Sequence, residues 1–128
     1  MINVVAAVIE EHDRFFLTKR QAGVHLAGMW EFPGGKIDPE ETHAAGLRRE
    51  IREELDADVE VGELVLHTVH TYPERTVALY FYRCRLIGTP RPQLGQEMQW
   101  FARHELPALG LPPADAELIE LLTKGEGR

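Results

Sequence analysis

The sequence predicts an α/β fold in which a mixed β-sheet lies between helices on its two faces. Three observations support this prediction. Strand-like segments occur both before and after a helix that carries a single apolar stripe. Both hairpin and crossover connections are needed to join these segments. The first segment is continuously apolar, which is typical of a strand that is covered on both faces.

Three strands are predicted in the first quarter of the chain. Val4 to Ile9 is apolar and rich in β-branched residues, and Arg14 to Arg20 follows a turn-like Glu-His-Asp. Residues 21–28 predict a loop. Met29 to Phe32 predicts a short strand that leads into the glycine pair of "FPGGK".

The next element is an amphipathic helix from about His43 to Leu55. Thr42 is a good N-cap, because its hydroxyl can accept a hydrogen bond from the first turn. The apolar residues of this segment recur at helical spacing, at Ala44, Leu47, Ile51 and Leu55. Gly46 lies inside the helix at a cost of about 1 kcal/mol relative to alanine, for which close packing is one explanation.

The remaining elements follow from alternation, turn residues and a second apolar periodicity. The sequence "YPER" is typical of a hairpin connection between two long strands, and Pro113 is suited to the first turn of a closing helix. The segment "HELPALGLPP" predicts irregular structure. The predicted strands and helix are residues 59–72, 76–86, 98–102 and 114–122.

Composition limits the class of protein. Residues 1–128 are expected to form one domain, with 44% hydrophobic and 27% charged residues. The net charge of −7 argues against binding of a nucleic-acid polymer, which needs a basic face. Cys84 is the only cysteine, so no intrachain disulfide can form and a cytoplasmic location is expected. The apolar run of six residues near the start is too short for a membrane span.

Three glutamates of the predicted helix are the first candidates for a functional site. Glu50, Glu53 and Glu54 lie three and four residues apart, so that a helix places them side by side. Like charges at such spacings destabilise a helix by roughly 0.2–0.5 kcal/mol per pair. A bound cation would offset this repulsion. The alternative is a solvated helix face on which Arg48, Arg49 and Arg52 balance the acids.

The spacing of residues around these glutamates resembles the Nudix box of the Nudix hydrolases, G-x5-E-x7-R-E-U-x-E-E-x-G-U, where U is aliphatic. Six fixed positions agree in this sequence: Gly35, Glu41, Arg49, Glu50, Glu53 and Glu54. The closing glycine is replaced by Asp56, which tolerates a left-handed helix end less well. The segments "KRQAGVH", "WEFPGGK", "GQEMQW" and "LPPAD" are similar to the MutT-like (d)NTP pyrophosphohydrolases.

This resemblance implies a Nudix-type α/β/α sandwich and an enzyme. The expected reaction is Mg²⁺-dependent hydrolysis of a nucleoside triphosphate to the monophosphate and pyrophosphate, with Mn²⁺ able to replace Mg²⁺. Two substrates remain open, 8-oxo-dGTP in nucleotide-pool sanitation and the cytidine nucleotides CTP or dCTP. Other diphosphate-linked nucleotides also fit the box. A non-catalytic nucleotide-binding module is less favoured, because such modules usually lose box glutamates. The expected partner is a small nucleotide, and the oligomeric state stays open.

The resemblance also assigns roles to individual residues. The implied metal ligands are Gly34 (through its carbonyl oxygen), Glu50, Glu53 and Glu54. The implied catalytic residues are Arg49, which orients the glutamates, Glu50, Glu53 and Glu97. Whether Glu97 or a box glutamate is the general base is left open. The implied substrate-binding residues are Arg20, His25, Glu31, Phe32 and Asp115.

Asp115 is expected to contact the base. Relatives that prefer 8-oxoguanine often carry Asn at this position, and an amide can pair with both O6 and the N7–H group. An ionised Asp only accepts hydrogen bonds, so it suits the amines of guanine or cytosine. We therefore expect weaker discrimination against dGTP or a preference for cytidine nucleotides. The alternative is that Asp115 only caps the closing helix.

Overall fold

A mixed sheet of seven strands forms the centre of the computed structural model, which describes residues 1–23 and 26–124. The strands are β1 (Ile2–Glu11), β2 (Arg14–Lys19), β3 (Trp30–Glu31), β4 (Gly34–Lys36), β5 (Asp58–Tyr72), β6 (Arg75–Ile87) and β7 (Met98–Ala102). The helices are α1 (His43–Leu55) and α2 (Ala116–Thr123), and two 3₁₀ segments cover Arg103–Ala108 and Pro113–Asp115.

Strand β1 organises the sheet. It runs parallel to β6 and antiparallel to β4 and β2, and the main strand order is β3-β2-β1-β6-β5. Strand β7 pairs with β2, and β5 pairs with β6 as an antiparallel hairpin. A parallel pair requires a crossover connection, and α1 lies within the connection from β1 to β6. The predicted mixed sheet is confirmed.

Helical segments cover both faces of this sheet. Val5, Ala7 and Ile9 of β1 pack with the apolar stripe of α1, while Ala6 and Val8 pack with the second 3₁₀ segment and α2. This alternation follows from the two-residue period of a strand. It explains why β1 is apolar at every position from Val4 to Ile9, and it confirms the predicted layer order.

Helix α1 has the predicted bounds, and both of its ends are capped. The Thr42 hydroxyl accepts a hydrogen bond from the Ala45 amide at 3.1 Å. At the other end, Asp56 adopts the left-handed conformation with φ of 49°, and its amide donates to the Arg52 carbonyl. Asp56 therefore takes the conformation for which the family pattern has glycine.

Gly46 packs so closely on Ile37 that an added Cβ would lie 2.5 Å from Ile37 Cγ2.

The structure differs from the predictions at three places. Strand β4 was not predicted, because two glycines carry no strand propensity and only the pairing with β1 makes them a strand. The closing helix begins at Ala116 rather than Ala114, because residues 113–115 form a tighter 3₁₀ turn. The segment after β7, expected to be irregular, contains the 3₁₀ helix Arg103–Ala108. Within the described residues, no helix has the length and apolar character to span a membrane.

Candidate active site

The two glycines of β4 allow helix α1 to approach the sheet. A Cβ atom on Gly34 would overlap the Val5 carbonyl oxygen, and one on Gly35 would lie 2.5 Å from Glu50 Oε2. The Glu50 carboxyl therefore rests directly on the backbone of Gly35. This close contact places the backbone of the glycine pair beside the glutamates of α1.

Arg49 organises the acids around it. Its Nε and Nη2 atoms donate to the two oxygens of Glu41 at 2.6 and 2.8 Å. Its Nη1 donates to Glu50 and Glu53 at 3.1 Å each, and Nη2 reaches the Lys36 carbonyl at 3.2 Å. The hydrogen bonds from Arg49 lower the pKa of Glu41 to about 2. One guanidinium thus fixes three carboxylates and the end of β4.

Glu54 is the acid with the least compensation. Burial, then the negative charges of Glu50, Glu31 and Glu53, raise its pKa to about 8. Its Oε2 atom is buried and has no hydrogen-bond partner among the residues described. A buried carboxylate oxygen without a partner is costly, and a hard divalent cation with oxygen ligands would satisfy it. The residues around Glu54 therefore fit such a cation.

The carboxylates do not form a closed metal cage by themselves. In residues 1–23 and 26–124, no group of three His, Cys, Asp or Glu side chains has the geometry of a metal site. Arg49 holds Glu50 and Glu53 in this arrangement. The strand period places His67 and His70 on opposite faces, where His67 stacks on Tyr80 and His70 packs edge-on against Tyr72.

A cavity of about 220 Å³ lies against the glycine pair of β4. Its wall includes the Gly34–Gly35 backbone, on which Glu50 rests, together with Arg20, Glu31, Phe32, Tyr72, Phe81 and Asp115. Arg20 Nη1 donates to Glu31 Oε1 at 2.7 Å. The Phe32 ring, which is 3% exposed, packs edge-on against Phe81 at 6.1 Å. The cavity combines apolar ring surface with a few polar groups, as small-molecule sites do.

Asp115 lies in the wall of this cavity and is 5% exposed. Although it is the N-cap residue of α2, its side chain makes no capping hydrogen bond. Burial, followed by the charge of Glu31, raises its pKa to about 7, against the smaller opposing effect of Arg20. Burial therefore favours the protonated form of Asp115, and its role in distinguishing bases stays a prediction.

The two remaining predicted site residues are Glu97 and His25. Glu97 does not line the cavity; its side chain is 67% exposed and forms an ion pair with Lys19 Nζ at 3.3 Å. Its backbone carbonyl accepts from the Lys19 amide at 3.0 Å. The structure thus separates Glu97 from the cavity wall. His25 lies outside the described residues.

Two contributions to the site were missed in the sequence. The Lys36 carbonyl accepts a hydrogen bond from Arg49, and a carbonyl position cannot be read from residue types. Gln96 is 7% exposed and binds the backbone of Glu54. A glutamine in a polar loop gives no sequence signal, since only its burial distinguishes it.

The match to known families agrees with this geometry. The NUDIX domain family matches residues 4–121. The chain belongs to the Nudix hydrolase family. The Nudix box of this chain contains Glu50, Glu53 and Glu54, and hydrolases of this family generally need a divalent cation.

Two curated relatives of the Nudix chain cover almost its whole length. It is 37% identical over 121 residues to the CTP pyrophosphohydrolase of Escherichia coli (strain K12), covering 94% of this chain and 90% of the relative. It is 38% identical over 124 residues to the 8-oxo-dGTP diphosphatase of Haemophilus influenzae, and this match covers 95% of this chain and 91% of the relative. The relatives include both substrate classes that the sequence left open.

Solved structures show the same fold. The MutT NUDIX hydrolase from Burkholderia pseudomallei superposes with a TM-score of 0.84 at 30% identity, covering 93% of this chain and 95% of that one. The MutT protein from Methanosarcina mazei Go1 superposes with a TM-score of 0.86 at 23% identity, covering 99% of this chain and 96% of that one. The α/β Nudix fold and the assignment as a hydrolase are confirmed.

Proposed function

We propose that this Nudix hydrolase cleaves nucleoside triphosphates to the monophosphate and pyrophosphate, with Mg²⁺ as its cofactor. The observation that carries the proposal is the buried Glu54 Oε2 atom, which has no hydrogen-bond partner among the described residues and lies near the charge of Glu50. A cavity with apolar ring surface lies against the glycine pair on which Glu50 rests. The acids suit a cation that carries phosphates, and the cavity suits a nucleoside.

The proposed metal ligands are Glu50, Glu53, Glu54 and the Gly34 carbonyl oxygen. When bound, Mg²⁺ would neutralise phosphate charge and lower the pKa of a bound water. Arg49 orients Glu50 and Glu53 through its hydrogen bonds, and it is itself oriented by Glu41. The protein's own contribution is to hold several acids close together before the substrate arrives.

The general base is proposed to be a box glutamate, Glu53. Its carboxyl is 55% exposed at the end of the acidic face of α1, where a water can reach it. Glu97 is the alternative base: its side chain is 67% exposed and forms an ion pair with Lys19 Nζ, and neither it nor Glu53 lines the cavity.

The nucleoside is proposed to occupy the cavity. Phe32 and Phe81 offer apolar ring surface, and the Arg20–Glu31 pair and Asp115 offer polar contacts. His25 is proposed as a further substrate contact on the resemblance alone. Asp115 is the residue proposed to distinguish one base from another, since its carboxyl is in the cavity wall rather than on the helix cap.

Two substrate classes follow from the chemistry of Asp115. A protonated carboxyl both donates and accepts, so it can pair with O6 and N7–H of 8-oxoguanine. An ionised carboxyl accepts only, so it suits the N4 amine of cytosine. A pKa of about 7 makes both forms available at neutral pH. We propose 8-oxo-dGTP as the leading substrate and CTP or dCTP as the second candidate.

A substrate panel tests this function. The purified protein with Mg²⁺ is incubated with 8-oxo-dGTP, dGTP, CTP, dCTP, a dinucleoside polyphosphate and a nucleotide sugar, and the products are separated by chromatography. We expect monophosphate and pyrophosphate from one of the first four. Hydrolysis in ¹⁸O-water should place the label in pyrophosphate, as attack at the β-phosphorus requires. Orthophosphate as the first product, or turnover of only the last two substrates, would contradict the proposal.

A further inference from the structure

The loop between β6 and β7 closes the carboxyl end of α1. The last carbonyl groups of a helix lack partners within the helix and must find them elsewhere. Here the Arg91 amide donates to the Leu55 carbonyl at 2.7 Å, and the Gln93 amide donates to the Glu54 carbonyl at 2.9 Å. The loop thus binds the same turn of α1 that carries the last two box glutamates.

Gln96 is the side chain that fixes this loop to the helix. Its Nε2 atom donates to the Glu54 carbonyl oxygen at 3.1 Å, and its Oε1 atom accepts from the Leu94 amide at 2.9 Å. It is 7% exposed, although Leu94 on the same loop is 61% exposed. Both ends of a buried amide are therefore satisfied, one by the loop and one by the backbone of Glu54.

We propose that Gln96 is a positioning residue that holds the backbone of Glu54 so that its carboxyl can bind the divalent cation. This inference rests on the proposed function of the site. A residue that orients a ligand typically changes metal affinity or activity ten- to hundredfold when it is replaced. Since Gln96 acts on the ligand's backbone, and Gln93 shares that carbonyl, an effect of about tenfold is expected.

The test is the substitution Gln96→Met, which preserves side-chain length and removes both hydrogen bonds. The variant should fold, because Glu54 keeps the bond from the Gln93 amide and the Leu94 amide lies on an exposed residue. Gln96→Leu is a second apolar variant with the same expectation. The matched control is Gln93→Met on the same loop, which keeps the Gln93 backbone amide; among the described residues the Gln93 side chain donates to the Arg91 carbonyl and not to Glu54.

The first readout is Mn²⁺ affinity, measured from the electron paramagnetic resonance signal of the free ion. Gln96→Met should weaken Mn²⁺ binding about tenfold and lower kcat by a similar factor, with KM changed less than threefold. Gln93→Met should stay within twofold of the wild type. Unfolding temperatures of the two variants are compared, so that a general loss of structure is recognised.

A double-mutant cycle with Glu54→Gln decides whether Gln96 acts through Glu54. In the Glu54→Gln protein, Gln96→Met should change Mn²⁺ affinity by less than twofold. Unchanged Mn²⁺ affinity in Gln96→Met, or an undiminished effect in the Glu54→Gln background, would overturn the proposal. If the wild type cleaves no nucleotide of the panel, the proposed function fails, whereas the Mn²⁺ measurements still test Gln96.

Discussion

At the scale of single residues, the site depends on carboxyl groups whose protonation is set by burial. Glu54 and Asp115 are both removed from water; Glu54 Oε2 has no hydrogen-bond partner among the described residues, and the Asp115 side chain makes no capping hydrogen bond. Burial is the largest cause of both raised pKa values, about 8 and about 7. The protein therefore carries acids that destabilise the fold when they ionise, which is common where function sets the residue.

The substitution Glu54→Gln should stabilise the protein while strongly reducing its activity. Because the folded-state pKa of Glu54 is raised from 4.5 to about 8, the folded state holds an extra proton between these values, and stability falls as pH rises through this range. At pH 8 without metal, we expect Glu54→Gln to increase the free energy of unfolding by about 1–2 kcal/mol in urea titrations. Its kcat should fall at least about a hundredfold.

The control for this prediction is Glu53→Gln. Its carboxyl is 55% exposed, so the same substitution should change stability little while also reducing kcat. Equal stability changes in both variants at pH 8, or near-wild-type turnover in either at saturating Mg²⁺, would contradict the assignment of the two roles.

Base preference should depend on pH through Asp115. The groups that face it in the cavity are Glu31, Arg20 and Tyr72. As pH rises through about 7, the protonated form that pairs with 8-oxoguanine is lost, and the ratio of kcat/KM for 8-oxo-dGTP over CTP should fall several-fold between pH 6 and 8. Steady-state kinetics at matched Mg²⁺ measure this ratio.

In Asp115→Asn the ratio of kcat/KM for 8-oxo-dGTP over CTP should be independent of pH, because the amide does not titrate. At pH 8 this ratio should favour 8-oxo-dGTP more strongly than it does in the wild type. Parallel pH profiles in the wild type and in Asp115→Asn would show that Asp115 does not distinguish the bases.

At the scale of elements, helix α1 combines a conventional core stripe with an unfavourable acidic face. Leu47, Ile51 and Leu55 are fully buried against the sheet, and this burial supports the helix against repulsion among its glutamates. Gly46 is needed for close packing on Ile37. The helix ends at Asp56 in a conformation that favours glycine, which leaves stability to be gained.

The substitution Asp56→Gly should therefore stabilise the protein by about 0.5–1 kcal/mol, because glycine adopts a φ of 49° without the steric cost of a Cβ atom. Asp56→Ala should not stabilise the protein, because alanine retains the Cβ atom and lacks the polar side chain. The free energies of unfolding of the wild type, Asp56→Gly and Asp56→Ala are compared by urea titration. Turnover should remain unchanged in Asp56→Gly, and a loss of stability in that variant would refute the role of the left-handed cap.

At the scale of the whole molecule, the sheet brings together residues that are far apart in the chain. The pairing of β1 with β4 sets the glycine backbone beside Glu50, and the 3₁₀ segment before α2 brings Asp115 to the same cavity. A cation bound at the glutamates should therefore stabilise the entire fold, because the unfolded chain has no preformed site.

Mg²⁺ should raise the unfolding temperature of the wild type. Binding to the folded state alone contributes about 2.7 kcal/mol when the ion is at 100 times its dissociation constant. Differential scanning fluorimetry with Mg²⁺ against EDTA measures the shift, with Na⁺ at equal ionic strength as the control. The double variant Glu53→Gln and Glu54→Gln should show no such shift, and an equal shift in both proteins would point to a different metal site.

The fold could be predicted where local signals and tertiary packing agree. The bounds of α1, its Thr42 cap, strand β7 and the order of layers follow from periodicity, capping and turn residues. Strand β4 could not be predicted, because its glycines gain strand conformation only from β1. Helix α2 begins at Ala116 because Pro112 and Pro113 start a 3₁₀ turn, Pro113–Asp115, rather than an α-helical one.

By itself, the sequence determined the family, the acidic cluster and which residues are able to carry the chemistry, because these depend on residue type and spacing. Only the tertiary structure decided the burial that raises the pKa of Asp115, the lack of a partner for Glu54 Oε2 among the described residues, the ion pair of Glu97 with Lys19 and the contact from Gln96 to Glu54. The physical reason is that burial and hydrogen bonding are properties of neighbours brought together by the fold, and these set the pKa and orientation of a side chain whatever its spacing in the sequence.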